Sequence, residues 1–203
     1  MTDRGAYWDE VYEARGEADV SWFEAMPSMS LDLILRASAA KATAIVDVGG
    51  GLSRLADHLI VAGYVDVTVL DVSAAATQQL AARIGSTSLS VIVNDITTWI
   101  PQRTFDLWHD RAVLHFLTDE TDRRGYRRAL LDGLAPGGQL IIATFALTGP
   151  ERCSGLPVRR YGRDELAEFL GAEFEQLESF EHDHRTPAGD IQRFHIGRFR
   201  RLP

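Results

Sequence analysis

The 203-residue chain holds one cysteine, Cys153, and one lysine, Lys41. A single thiol forms neither an internal disulfide nor a multi-cysteine zinc site, which points to a reducing compartment, most simply the cytoplasm. No apolar run approaches the roughly 20 residues that cross a bilayer, so no membrane partner is expected. Asp3, Arg4, Asp9 and Glu10 interrupt the start of the chain, where a secretion signal needs an apolar core. Positive charge is in the minority: 21 Lys plus Arg face 29 Asp plus Glu, for a formal charge of −8. That balance argues against a general nucleic-acid binder, and Arg123, Arg124, Arg127 and Arg128 form the densest basic cluster. Because nearly every cation is arginine, the positive groups are planar forks suited to gripping carboxylates. Repeats, linkers and low-complexity tracts are missing as well. A chain of this length, 45% hydrophobic, buries about 70% of its unfolded surface and needs no metal or disulfide to hold a core. One domain over residues 1–203 is expected, with a helical and aromatic cap to residue 43 and a core from 44 onward.

From residue 44 short apolar runs alternate with stretches of helical spacing, the pattern of βαβ units around a parallel sheet. Strands are predicted at Ala44 to Val48, Val67 to Leu70, Leu89 to Val93, Phe105 to His109 and Gln139 to Phe145. Helices are predicted at Ser53 to Ala62, Ser73 to Ile84 and Glu120 to Leu134, the last two capped by Ser73 and Asp119, with Pro136-Gly137-Gly138 as a helix stop. After a loop through Gly149, Pro150, Gly155 and Pro157 come a short helix, Asp164 to Leu170, and two β segments near Phe174 to Phe180 and Ile191 to Phe199. These are joined at Pro187-Ala188-Gly189 as an antiparallel hairpin at the sheet edge. Ahead of the first strand stand Tyr7, Trp8, Tyr12, Trp22 and Phe23, then an apolar helix near Leu31 to Ala40.

The most informative stretch is Asp47-Val48-Gly49-Gly50-Gly51-Leu52-Ser53, an apolar strand entering a glycine turn and then a helix. Glycines there let backbone approach a ligand closely, and the helix start offers unpaired N–H groups. A dinucleotide fingerprint wants a third glycine where Arg54 stands, which weakens a nicotinamide dehydrogenase reading. Asp47 suits a ligand with a cationic amino group. Asp71, ending the next strand beside Val72, can accept both hydroxyl protons of a ribose, and Asn94 or Asp95 can accept from an adenine amine with Ile96 packed on the ring.

On these residues, and on Phe105-Asp106-Leu107 and Leu134-Ala135-Pro136-Gly137-Gly138, the chain from about 43 to 200 resembles the class I S-adenosylmethionine-dependent methyltransferases. The resemblance implies a Rossmann-like α/β fold with a seven-stranded, mostly parallel sheet, an antiparallel terminal strand, and helices on both faces. Ser53 departs from it, since many members carry a further glycine there. It also implies S-adenosylmethionine as cofactor and S-adenosylhomocysteine as product. Trp108 to Phe116, leaving the fourth strand, is the expected catalytic segment, with Asp110 and Arg111 closing the methionine end and His115 as acceptor-side base. His184 is a second candidate base. Arg159, Arg160 and Tyr161 suit an anionic acceptor. His182, Asp183 and His184 look superficially like metal ligands, but strand alternation leaves the two histidines without further ligands, and no metal is expected. The segment lacks the Asn/Asp-Pro-Pro-Tyr/Phe and Pro-Cys signatures of nucleic-acid methyltransferases. The N-terminal aromatics are similar to the first segment of thiopurine, thiol and elongation-factor lysine methyltransferases, which assigns Trp8 and Trp22 to covering cofactor and acceptor. The expected reaction is methyl transfer to an O, N or S atom of a small molecule. Protein lysine methylation and a non-catalytic cofactor-binding sensor or scaffold are the alternatives.

Overall fold

The computed structural model describes residues 4–38 and 40–203. Seven strands form one sheet in the order β3-β2-β1-β4-β5-β9-β8, where β1 is Ile45–Val48, β2 Val67–Asp71, β3 Leu89–Val93, β4 Phe105–Arg111, β5 Leu134–Phe145, β8 Phe174–Arg185 and β9 Ile191–Arg201. Pairing is parallel from β3 through β5, and β9 runs antiparallel to both β5 and β8. This is the Rossmann-like methyltransferase arrangement. Two-residue strands β6, Arg152–Cys153, and β7, Leu156–Pro157, form a separate small hairpin.

Strand alternation divides the core in two. Val46, Trp108, Leu140 and Ile142 point to one face, where helix α5 (Glu120–Gly133) brings Tyr126 and Leu130 and helix α6 (Arg163–Leu170) brings Leu166 and Leu170. Ile45, Leu107 and Ile141 point to the other, against Leu33 and Ile34 of α2 (Ser28–Ala37), Leu55 and Leu59 of α3 (Leu55–Val61), and Leu80 of α4 (Ala74–Ile84). Each fully buried large side chain contributes about 1.5–3 kcal/mol. Ser73 caps α4, its hydroxyl accepting from Ala76 N at 3.0 Å. Asp119 stands at the N-cap of α5 without a side-chain cap bond.

Three predicted segments move by more than two residues. Helix α5 ends at Gly133, and Pro136-Gly137-Gly138 lies inside the twelve-residue β5 rather than stopping a helix. There Leu134, fully buried, pairs with Phe105, and the ladder shifts register between Phe105 and Leu107 to absorb the irregular residues. The hairpin strand β8 runs to Arg185, so His182 and His184 sit in the ladder and the turn spans 186–190. The predicted helix over 31–40 is observed at Ser28–Ala37, with residue 39 outside the described residues. The aromatic segment holds a further helix, α1, Arg4–Ala14. Among the described residues, no helix is long and apolar enough to cross a membrane.

Candidate active site

The glycine turn after β1 is bare because it must be. Gly49 and Gly51 have φ of +69° and +44°, and a Cβ on either would collide with Val113 or with the Tyr12 hydroxyl. A Cβ at Gly50 would lie 2.7 Å from Asp47 Oδ2. Ser53 is not among the residues with positive φ, so its position tolerates a side chain. At the end of β2 the buried Asp71 accepts from Ser73 N at 2.8 Å and from the Gly51 and Val72 amides. Burial pushes its pKa up to about 6 against the pull of those amides, and the nearby Asp47 adds to the rise. A carboxylate so placed keeps acceptor capacity for a ligand's hydroxyl groups.

Helix α1 roofs this end. Asp9 Oδ1 accepts from Ser73 Oγ at 2.6 Å and Ala75 N at 3.0 Å, and Arg4 reaches Asp95 at 2.8 Å and also pairs with Asp122. Trp8 stands edge-on to Trp22 at 5.8 Å and to Phe116 at 5.2 Å, with Tyr12 6.3 Å from Trp22. Burial and the Asp71 charge raise the Tyr12 phenol well above its ordinary value.

Two pockets meet beneath the roof. The first runs along the glycine turn between Asp47, Gly49, Gly50, Tyr12 and Trp22. The second lies over β5 and β9 against Ile141, Ala143, Phe194 and Ile196, with Met29 and His184 at its sides. Glu24, Ser30, His109 and Arg111 line both. Arg111 donates to Trp22 O at 3.0 Å and pairs with Glu24 at 3.2 Å. Burial would raise the Glu24 carboxyl, but the hydrogen bond from His184 and the Arg111 charge outweigh it and hold the group low.

Sequence reasoning overlooked His109 and Ser30. His109 Nδ1 lies 2.7 Å from Asp47 Oδ1, and its Nε2 lies 2.9 Å from Ser30 Oγ. His109 stands within the expected catalytic segment, so its signal was present; Ser30, on α2, had none.

Other expected residues lie elsewhere. Alternation along β4 turns Asp110 away from both pockets, and its carboxylate accepts from Val113 N, Leu114 N and the Tyr126 hydroxyl at 2.8, 3.1 and 2.7 Å. It fastens the turn at Ala112, where φ is +77°, rather than closing the methionine end. Burial carries its pKa to about 6 against those three donors. His115 is fully buried between Phe116 and Phe145 and lines neither pocket. The Phe145 amide points at its Nδ1 at 3.4 Å, and burial, with the Arg111 charge, depresses its pKa to about 3. The proton of the neutral ring is therefore on Nε2, and no lone pair is left to act as a base. His184 lines the second pocket, with Nδ1 3.0 Å from Glu24 and Nε2 2.8 Å from Ser21 O, so both ring nitrogens already face protein partners.

Arg159, exposed, lies over the Tyr161 ring; Arg160 is held by Gly149 O and Glu151; Tyr161 is buried against Phe169, its phenol pushed up to about 12 mainly by burial. None of the three lines either pocket, which corrects the anion-binding expectation. Asn94 is exposed and Ile96 packs in the core beside Trp99. Asp95 Oδ1 accepts from Thr97 N and Oγ1 at 2.8 and 2.7 Å, while Oδ2 takes Arg4. Among the described residues, no group of three or more His, Cys, Asp or Glu could hold a metal ion.

Residues 45–138, which carry the glycine turn, Asp71 and β4, match the family model for a methyltransferase domain. Over this segment the chain is similar to the class I S-adenosylmethionine-dependent methyltransferases. Its fold is shared with a Burkholderia thailandensis 1,6-didemethyltoxoflavin N1-methyltransferase solved with 1,6-didemethyltoxoflavin and S-adenosylhomocysteine, at 22% identity, over 98% of this chain and 87% of that one, TM-score 0.74. The N-methyltransferase NodS of Bradyrhizobium japonicum, solved with S-adenosylhomocysteine, is 18% identical over 100% and 99% of the two chains, TM-score 0.73. A methyltransferase from Anabaena variabilis superposes at TM-score 0.78 with 12% identity, over 99% and 96%. No match is found among curated proteins. The glycine cradle that any Cβ would fill, with the buried Asp71 acceptor beside it, fits S-adenosylmethionine.

Proposed function

We propose that this protein is a methyltransferase acting on a small-molecule acceptor, at an O, N or S atom, held in the pocket over β5 and β9. The observation that carries the reading is that Glu24, Ser30, His109 and Arg111 line both pockets, which sets a small cleft floored by Ile141, Ala143, Phe194 and Ile196 directly against the glycine turn. A small cleft suits a compact molecule, and the 1,6-didemethyltoxoflavin bound to the toxoflavin enzyme is of that kind.

In this reading the backbone at Gly49 to Gly51 lies along the cofactor, Asp71 holds its ribose hydroxyls with Val72 beside it, and Asp47 and Arg111 face its methionine end. Trp22 lines the cofactor chamber, and Trp8 packs edge-on behind it. Asp95 fastens Arg4 over the adenosine end. Bound, S-adenosylmethionine supplies a methyl group on an already charged leaving group. The chain's own part is to align the acceptor and keep water out, which the buried aromatic roof and the apolar floor do.

The test is incubation with methyl-labelled S-adenosylmethionine and cell extract, with Asp71→Ala as control. Enzyme-dependent label in low-mass products supports the reading. Label on a polypeptide replaces it with protein methylation, and cofactor binding without any labelled product replaces it with a sensor role.

A further inference from the structure

Asp47, His109 and Ser30 form a chain of hydrogen bonds, carboxylate to imidazole to hydroxyl, at 2.7 and 2.9 Å, buried and ending at the wall of the acceptor chamber. The order is dictated by chemistry. An ionised carboxylate only accepts, so Nδ1 of His109 carries the hydrogen, and Nε2 presents its lone pair to the Ser30 hydroxyl. The same sequence of groups polarises a serine hydroxyl wherever it occurs, whatever the fold around it. A purely structural staple between α2 and β1 would not need its last member at the border of two ligand chambers.

We propose that Asp47, His109 and Ser30 are a proton relay, and that the acceptor is accordingly methylated at an atom bearing a proton, a hydroxyl oxygen or an N–H nitrogen. The inference rests on the acceptor chamber assigned above. The acceptor's O–H or N–H bond breaks as its proton passes to Ser30 Oγ, while Ser30's own proton passes to His109 Nε2. The electron pair left on the acceptor forms the bond to the methyl carbon, and the pair of the breaking carbon–sulfur bond stays on sulfur. The imidazolium is held against Asp47 until its proton leaves to solvent. Ser30 is the group that touches the acceptor, and His109 and Asp47 act through it. Carboxylate and thiolate acceptors need no such relay.

The test needs no acceptor. Full-length protein with 15N-labelled histidine is read by NMR for the His109 tautomer, and diisopropyl fluorophosphate is the probe of Ser30 nucleophilicity, its adduct located by peptide mass spectrometry. The groups facing His109 are Asp47 on β1, Ser30 on α2, and Arg111, Glu24, His182 and His184 around the same pocket, while Asp110 lies on the opposite face of β4. Expected are a hydrogen on Nδ1, labelling at Ser30, and a labelling rate that rises with pH along the His109 titration seen by NMR. His109→Gln should slow labelling by about a hundredfold, the scale of a lost general base. If that variant does not fold, the wild-type tautomer and pH profile still decide. A hydrogen on Nε2, or an unlabelled Ser30, overturns the relay. Incubation of the same wild-type protein with methyl-labelled S-adenosylmethionine and extract tests the small-molecule reading separately: labelled low-mass product together with a hydrogen on Nε2 overturns the relay and leaves that reading standing.

Discussion

Replacing Asp71 by Asn separates what burial costs this carboxyl from what it does for the cofactor. The folded protein holds the acid's pKa at about 6, against an ordinary 3.8. Between those two values the native state binds more protons than the unfolded chain, so stability falls as pH rises through that window and stays lower above it. Two pKa units and a fraction correspond to about 3 kcal/mol. Asn does not titrate. The stability of Asp71→Asn relative to wild type should therefore improve by about 3 kcal/mol between pH 3.8 and pH 7.5. Setting an amide N–H against the Gly51 or Val72 amide costs about 1–3 kcal/mol at every pH, and so cancels from the difference. Asp110, which carries a similarly raised pKa, is present in both proteins and cancels too. Urea unfolding at a series of pH values without ligand measures the effect. Parallel stability curves would refute the claim that burial of this carboxylate is what raises its pKa. In the same variant, S-adenosylhomocysteine should bind about 10–150-fold more weakly by calorimetry, the loss of a charge-assisted hydrogen bond; unchanged affinity removes Asp71 from the ribose.

Four further substitutions probe the site and its surroundings. His115 takes up a proton near 6.5 when unfolded but only at about 3 when folded, so its contribution is present above 6.5 and is lost as pH falls toward 3. His115→Phe should flatten the stability curve below pH 6.5 by up to about 1.4 kcal/mol per pH unit, and an unchanged slope in acid unfolding followed by circular dichroism contradicts this. Gly51→Ala puts a Cβ into the Tyr12 hydroxyl at φ +44° and should abolish cofactor binding. Gly137→Ala, at φ +80° with open space around it, should cost about 1 kcal/mol of stability and leave binding intact. Arg4→Ala removes part-exposed ion pairs to Asp95 and Asp122 and should speed hydrogen exchange throughout α1 while global stability moves by less than about 1 kcal/mol; exchange confined to its old rate means that Asp9 alone secures the helix.

Strands β1, β2 and β3 were legible because each is a short apolar run, and Leu89–Val93 is found at its predicted ends. Pro136-Gly137-Gly138 misled because the same residues that break a helix also fit a strand with a register shift, and only the pairing of Leu134 with Phe105 distinguishes the two. The cofactor side of the site is written in consecutive residues, as at Gly49 to Gly51. The acceptor side is not. Asp47 and His109 are Cα partners across β1 and β4, 62 residues apart, and Ser30 is 79 residues from His109. In β4 the alternation sends His109 and Arg111 toward α2 and Asp110 toward Tyr126, a choice of face that rests on which neighbours supply partners and is invisible in Trp108-His109-Asp110-Arg111 itself. The histidines singled out from sequence, His115 and His184, lie in the right neighbourhood, but His115 Nδ1 already faces the Phe145 amide and the His184 nitrogens already face Glu24 and Ser21 O.

Among the described residues, four side chains line both chambers at once. Whatever one ligand does to Glu24, Ser30, His109 or Arg111, the other must feel, and by thermodynamic necessity the coupling is equal in both directions. An acceptor that binds more tightly once the cofactor is in place must itself tighten the cofactor by the same factor. The demethylated product, which leaves those four residues facing a neutral sulfur instead of a cation, must alter acceptor affinity by whatever part of that coupling was electrostatic. Acceptor screens run on the empty protein would thus rank compounds for a different surface from the one that carries out the transfer.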